Sequence, residues 1–342
     1  MISNFNEFLN ENSSGKILLF YSFDWDDNIL HMPTVIHMQK NVNGVWRNID
    51  VSTSDFAKVR NDENYRILDN DPDKAFSEFR DFGLRGNNAF LMDTISSIKN
   101  GNFGPSWDDF IECLINGCIF SIITARGHES ESIKKAIEWI IDNYLSNDQK
   151  YEMYNNILKF TYLYRDEDKY DVLYKDINNI SKSPLISMFL SNCYFVGVSN
   201  PKGESSATNP EKAKQECLLK FKRDIDTLSK RIGVRFSIGF SDDDIKNVKH
   251  IEDLMNNLNH EDFSSLYMMV VKNTNDVDNI TKTTRKFEDF RDTSVLSVSN
   301  FDNMTSNMTD VVNNDINKIK HIRSVEKIMD FTKEIKKKRK KK

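Results

Sequence analysis

KILLFYSFDWDDNIL, residues 16–30, is the stretch that decides the fold. Residues 16–23 are a compact, mostly apolar run, and the chain then turns abruptly acidic. A strand buried on both faces of a parallel sheet has this pattern, a continuous apolar run with no alternation and a sudden polar end. The pattern recurs at residues 118–124 (CIFSIIT), 192–198 (NCYFVGV), 234–240 (VRFSIGF) and 265–271 (SLYMMVV). Helical spacing lies between some of these runs. Residues 129–146 carry Ile133, Ala136, Ile137, Ile140 and Ile141 on one face. Residues 210–231 are opened by Asn209 as an N-cap and Pro210 at the first helical position. Strands alternating with helices predict an α/β fold with a mainly parallel sheet. In such sheets ligands bind at the carboxyl ends of the strands.

The 342 residues suffice for one large domain with insertions or for two domains. Residues 31–116 separate the first strand from the second, far more than one crossover needs. They open with a predicted hairpin, VIHMQKNVNGVWRNIDV, turning at Asn43-Gly44. Helical segments follow, and the whole stretch is expected to be an inserted cap. The core is expected in residues 16–30 and 117–272, with 147–190 as an extra helical insert. From about residue 273 the sequence is rich in Asn, Asp, Ser and Thr, a loose polar linker by composition. A helical period over 311–335 and a basic tail end the chain, and residues 1–15 read as a leader.

Hydrophobic residues make up 39% and charged residues 29% of the chain, ordinary values for a globular protein. A net charge of -5 gives no global reason to expect a nucleic-acid partner. The tail Lys336 to Lys342 is wholly basic. It suits salt-sensitive contact with nucleic acid or another polyanion, and equally a purely solubilising role. No apolar run approaches the ~20 residues that span a bilayer, so no membrane segment is expected. The first residues lack an apolar secretory core. None of Cys113, Cys118, Cys193 and Cys217 has CxxC spacing, so zinc is not expected. Cys118 and Cys193 read as inert buried thiols, and a reducing, cytoplasmic compartment fits.

The strand ends carry the chemistry. Asp24 and Asp26 stand two residues apart just past the first strand. The first can attack phosphorus, and the second can protonate a leaving oxygen and then activate water. An acidic loop or helix start is the plainer alternative. The second apolar run ends in Thr124, followed by Arg126. A hydroxyl with free backbone N–H groups at a helix start suits a phosphate oxygen, Arg126 adds charge, and a helix cap is the alternative. Near the start of the 210–231 helix, Lys212, or else Lys214, can neutralise a phosphoryl group; a solvated helix face also explains either lysine. The fourth run ends GFSDDDIKN. Asp242 and Asp243 are candidate metal ligands and Asn247 an orienting group, whereas an N-cap explains only one of the three aspartates.

In this order FDWDDNIL, IITARG, the Lys212 region and GFSDDDIKN resemble the haloacid-dehalogenase (HAD) superfamily over roughly residues 16–272. That resemblance implies a Rossmannoid sheet with a cap inserted after the first strand. It also implies a Mg²⁺-dependent phosphatase with an aspartyl-phosphate on Asp24. Asp26 is then the acid/base, Thr124, Arg126 and Lys212 meet the phosphoryl group, and Asp24, Asp242, Asp243 and the Trp25 carbonyl surround the metal. The chain departs from the family pattern at Asp27-Asn28, where Gly-Thr is usual, and at Ser241-Asp242, where Gly-Asp is usual. Trp25 is bulky for its place between the aspartates.

His31 and His37 are read as structural histidines, and His128 as a somewhat better candidate for substrate contact. Arg60, Arg66, Arg80 and Arg85 are cap cations able to contact a large anionic substrate, with solvated charge as the default reading. There is no GxxxxGK[ST] or GxGxxG motif, so no fused nucleotide module is expected. FNEFLNE near the start resembles a leader found on proteins of large tailed bacteriophages. With the basic tail, it directs the substrate expectation to a nucleotide or nucleic-acid end. The competing expectation is a catalytically degenerate HAD-like binding or virion-associated structural protein.

Overall fold

The apolar run that opens the core becomes β1 (Ile17–Phe23), the third strand from one edge of a six-stranded sheet. The structure, a computed structural model, describes residues 17–81, 85, 86, 88–164, 177–201, 209–232, 235–257, 266–275 and 282–286. The leader, the 311–335 helical period and the basic tail lie outside these residues. The other expected strands are β5 (Phe120–Thr124), β6 (Tyr194–Gly197), β7 (Arg235–Asp242) and β8 (Leu266–Asn273). A further strand, β9 (Lys282–Lys286), pairs antiparallel with β8 at the sheet edge. The polar composition after residue 273 predicted a loose linker there. Pairing to a neighbour is a tertiary contact that composition does not report.

The strand order is β6-β5-β1-β7-β8-β9, with the first five parallel. The chain runs outward from β1 to β5 and β6, then crosses back to β7 and β8. That reversal between β1 and β7 is the switch point of a Rossmann-like doubly wound sheet, and it opens a crevice at the strands' carboxyl ends. Phe23 pairs with Ser241 and with Ile122. The next residue, Asp24, donates its N–H to Ser241 O at 3.0 Å and comes level with Asp242.

Between β1 and β5 lie β2 (Ile36–Val42), β3 (Val45–Val51), α1 (Thr53–Val59), β4 (Tyr65–Ile67), α2 (Pro72–Ala75), α3 (Ala89–Lys99) and α4 (Trp107–Ile115). β2 and β3 form the expected hairpin, with register Val42–Val45 across the turn. Asn43 and Gly44 both take positive φ, 55° and 83°, the type I′ geometry that suits the twist of the flanking strands. With β4 they make a separate three-stranded sheet. Its inner face packs Ile36, Met38 and Phe79 with Ile49, Val51, Phe56 and Tyr65 into a small cluster of its own. The second half of the insertion differs. Phe90 of α3 and Trp107, Phe110, Ile111 and Leu114 of α4 join the main core. The separate layer therefore covers about residues 36–81, not the whole of 31–116.

The other helices are α5 (Ser130–Asn143), α6 (Asn147–Tyr164), α7 (Pro184–Asn192), α8 (Pro210–Ile232) and α9 (Ile245–Asn257). Ile133, Ala136, Ile137, Ile140 and Ile141 of α5 are all buried, as their spacing predicts. Asn209 caps α8, its Oδ1 accepting Lys212 N–H at 2.8 Å. All four cysteines are free; Cys118 is half-buried and the other three are buried. Among the described residues no helix is long and apolar enough to cross a membrane.

Candidate active site

Four segments converge at the crevice. The loop after β1 brings Asp24, Asp26, Asp27 and Asn28, and the end of β5 brings Thr124 and Arg126. The second turn of α8 brings Lys214, and the end of β7 brings Asp242 and Asp243.

Lys214, rather than Lys212, is the lysine of the site. Its Nζ lies 2.7 Å from Asp242 Oδ2 and 3.0 Å from Asp24 Oδ1, with the side chain buried. Lys212 is exposed. Helical geometry explains the correction. Lys214 shares its face with Cys217, Leu218, Phe221 and Ile225, all buried against the sheet, at spacings of three, four, seven and eleven residues. Lys212 lies off this stripe.

Asp242 is fully buried and fully engaged. Besides Lys214, it accepts Asn247 Nδ2 on both oxygens, at 2.9 and 3.0 Å, and the Asp244 N–H at 2.9 Å. Asn247 is thus the orienting group expected one turn on. Asp244 has a separate task. Its Oδ1 accepts the Lys246 N–H at 2.9 Å, and its Oδ2 pairs with Arg60 of the insertion at 3.0 Å.

Carboxylate oxygens of Asp24, Asp242 and Asp243 lie within 4.8 Å of one another. Burial, then the Asp242 and Asp26 charges, push the Asp24 carboxyl up to about 8 against the opposing pull of Lys214. Burial, with Asp242 and Asp24 nearby, pushes Asp243 up to about 9. Burial alone would lower Lys214, but the two carboxylates outweigh it and hold the ammonium above the usual lysine range. With all three carboxyls ionised, one lysine does not balance the negative charge.

Asp26 meets the second strand end. Arg126 donates from Nε to Asp26 Oδ2 at 2.7 Å and from Nη2 to Oδ1 at 2.6 Å. The Thr124 hydroxyl lies 3.5 Å from Asp26 Oδ2 and accepts the Arg126 N–H at 3.4 Å. Arg126 was expected to meet a substrate oxygen. It is buried at 1% exposure and spends Nε and Nη2 on Asp26, a bidentate carboxylate partner for a buried guanidinium, while Nη1 has no hydrogen-bond partner among the described residues. The Trp25 carbonyl is also committed. It accepts the Ile29 and Leu30 N–H groups at 2.9 and 3.2 Å, which occupies both lone pairs expected to face a metal. The indole fits between the aspartates because it turns into the core against Phe90 and Phe110.

The Asp27-Asn28 pair has a structural account. Asp27 has φ 55°, the left-handed region that glycine occupies freely and Asp tolerates better than most residues. Its carboxylate holds His31 Nδ1 at 2.8 Å and the Thr53 hydroxyl at 2.5 Å. Asn28 is fully buried. Its Nδ2 reaches Asp24 O, Ser241 O and Ser241 Oγ at 3.0, 3.2 and 3.1 Å, and its Oδ1 accepts Thr274 at 2.7 Å. It ties the loop after β1 to the ends of β7 and β8.

His37 pairs with Asp50 and Glu78 away from the acidic cluster. His128 is buried, tilted against Phe90, and held down to about 3 by burial and by Arg126. The insertion reaches the site at Thr53, Arg60, Thr34 and Phe79, whose ring lies 4.5 Å from the Arg126 guanidinium. Thr34 and its partner Asp93 gave no signal in the sequence. No protein-family model, curated protein or solved structure matches this chain, so the functional reading rests on this geometry.

Proposed function

We propose that the chain is a Mg²⁺-dependent phosphatase of the HAD-like type, with Asp24 as nucleophile and Asp26 as acid/base. The observation that carries the reading is the bridge from Lys214 to Asp24 and Asp242, at 3.0 and 2.7 Å, beside a third carboxylate. Three clustered carboxylates facing one ammonium favour a divalent cation. Asp24 Oδ1 is buried with no hydrogen-bond partner, and its Lys214 contact is an ion pair only. Oxygen donors of this kind suit Mg²⁺. Asp24 and Asp243 would hold it, with Asp242 joining them only by yielding a site now taken by Lys214, Asn247 or the Asp244 N–H. Its chemistry there would be to neutralise charge on the transferring phosphoryl group.

The chain's own residues supply the rest. Asp24 Oδ attacks phosphorus while the bond to the leaving oxygen breaks, and Asp26 gives that oxygen a proton. Lys214 neutralises the nucleophile and the incoming oxygens together. Water then attacks the aspartyl-phosphate and its proton returns to Asp26. The layer of residues 36–81 is the cap in this reading, and its Thr53 and Arg60 contacts favour a closed position over the site. Nucleotides and phosphorylated oligonucleotide ends are the first substrates to test.

Phosphate release from such a panel, compared for the wild type and Asp24→Asn, tests the proposal. Loss in the variant is expected, and equal rates would overturn it. The commitment of the Trp25 carbonyl to backbone partners favours a second reading, a degenerate binding protein. Absence of Mg²⁺ binding by calorimetry would select it.

A further inference from the structure

We infer that Thr34 and Asp93, both in the long insertion, are positioning residues for Asp26 and act through Arg126; the inference rests on the reading of Asp26 as the group that activates water. The contacts run in a line from the site. Arg126 grips both Asp26 oxygens, and the same Nη2 donates to Thr34 Oγ1 at 2.8 Å. Thr34 has one hydroxyl proton, and it goes to Asp93 Oδ2 at 2.6 Å. The hydroxyl therefore cannot turn: its proton is given to Asp93 and its lone pair faces Arg126. Asp93 is fixed from its other side by Arg85, whose Nη1 and Nη2 reach its two oxygens at 2.7 and 2.6 Å.

Charge alternates along this line, from Asp26 to Arg126, then through Thr34 to Asp93 and Arg85. Thr34, Asp93 and Arg126 are all at most 3% exposed. Each contact along the line is strong in a low dielectric and costly to break, and Nε and Nη2 carry all of Arg126's bonds to it while Nη1 is buried without a partner among the described residues. Phe79 and Phe90 lie 4.5 and 5.5 Å from the guanidinium and restrict it from the sides. Apolar residues of equal volume would avoid the desolvation cost of this line. What the polar line supplies is direction.

The direction matters most in the second half of the reaction. There the water oxygen bonds to phosphorus, its proton passes to Asp26, and the bond to Asp24 breaks with its electron pair returning to the Asp24 carboxylate. A carboxylate gripped on both oxygens by one guanidinium is aimed for that proton. Without Thr34, Arg126 loses its lateral anchor and the base is misplaced, whereas the attack by Asp24 is untouched.

The test uses the full chain with Mg²⁺ and p-nitrophenyl phosphate, whose leaving group needs no proton. Thr34→Val is expected to keep the initial burst of nitrophenolate, stoichiometric with enzyme. Steady turnover should fall about tenfold to a hundredfold, with the phosphoryl adduct accumulating in the intact mass. Thr34→Ser should restore steady turnover. Should Thr34→Val fail to fold, Asp93→Ala removes the hydroxyl's acceptor and is read in the same way. Unchanged turnover, or burst and turnover falling together, overturns the inference and leaves the phosphatase reading standing. A wild type with no Asp24-dependent turnover overturns both.

Discussion

The Lys214 ammonium lies 3.0 Å from the Asp24 carboxylate, joining the second turn of α8 to the end of β1. With Asp242 at 2.7 Å, this ion pair is the electrostatic centre of the site. Removing one partner leaves a buried charge uncompensated. Lys214→Met is expected to destabilise the protein by about 3–5 kcal/mol and to abolish turnover. Lys212→Ala, on the exposed face, should change stability by less than about 0.5 kcal/mol. Denaturant titration of both variants checks the contrast.

Asp24→Asn removes the proposed nucleophile and one of the crowded negative charges. Activity is expected to fall by a thousandfold or more, on the order of other nucleophile deletions. The metal-free variant should melt no lower than the wild type at pH 8. Calorimetric scans alongside rate measurements decide both points.

The pH dependence has a defined sign. Asp24 and Asp243 are raised to about 8 and about 9, against about 3.9 in an unfolded chain. Between pH 4 and those values the folded protein holds protons that the unfolded chain has released. Stability of the metal-free protein should therefore be greatest on the acid side of this window and decline as pH rises through 8 and 9. Mg²⁺ held by these carboxylates, as proposed, would displace the same protons, so its affinity should rise over that range. Melting curves in chelator, and Mg²⁺ calorimetry in two buffers of different ionisation enthalpy, measure the two effects.

Asn28 sits among acceptors and donors that no other side chain matches. Asn28→Ala leaves the Thr274 hydroxyl and two Ser241 oxygens without this partner, and about 2–4 kcal/mol of stability should be lost. Urea unfolding monitors the loss.

Arg60→Ala breaks the pair with Asp244, whose side chains are 24% and 22% exposed. A pair that wet contributes no more than about 1 kcal/mol, so global stability should barely move. Amide exchange in α1 should nevertheless speed up, because the layer of residues 36–81 loses an anchor to β7. Hydrogen-exchange mass spectrometry reads this directly.

Much of the scaffold was legible because buried strands advertise themselves. The five apolar runs became the five parallel strands, and Asn43-Gly44 turned the hairpin as its backbone preference requires. The acidic strand ends met because parallel order brings carboxyl ends to one edge. The side-chain details were less legible, for separable reasons. Lys214 was within reach, since its spacing from Cys217, Leu218 and Phe221 marks the buried face. Thr34 and Asp93 were not, as the hydrogen bond from Arg126 to Thr34 spans 92 residues of sequence. Whether Arg126 faces ligand or protein depends on what Asp26 offers it, and that is decided in space.

β1 is hydrogen-bonded to β5 on one side and β7 on the other. Asp24 therefore cannot drift alone. A displacement of its strand is shared by the strands that carry Thr124 and Asp242, so thermal breathing of the sheet becomes a common-mode motion that leaves relative alignment intact.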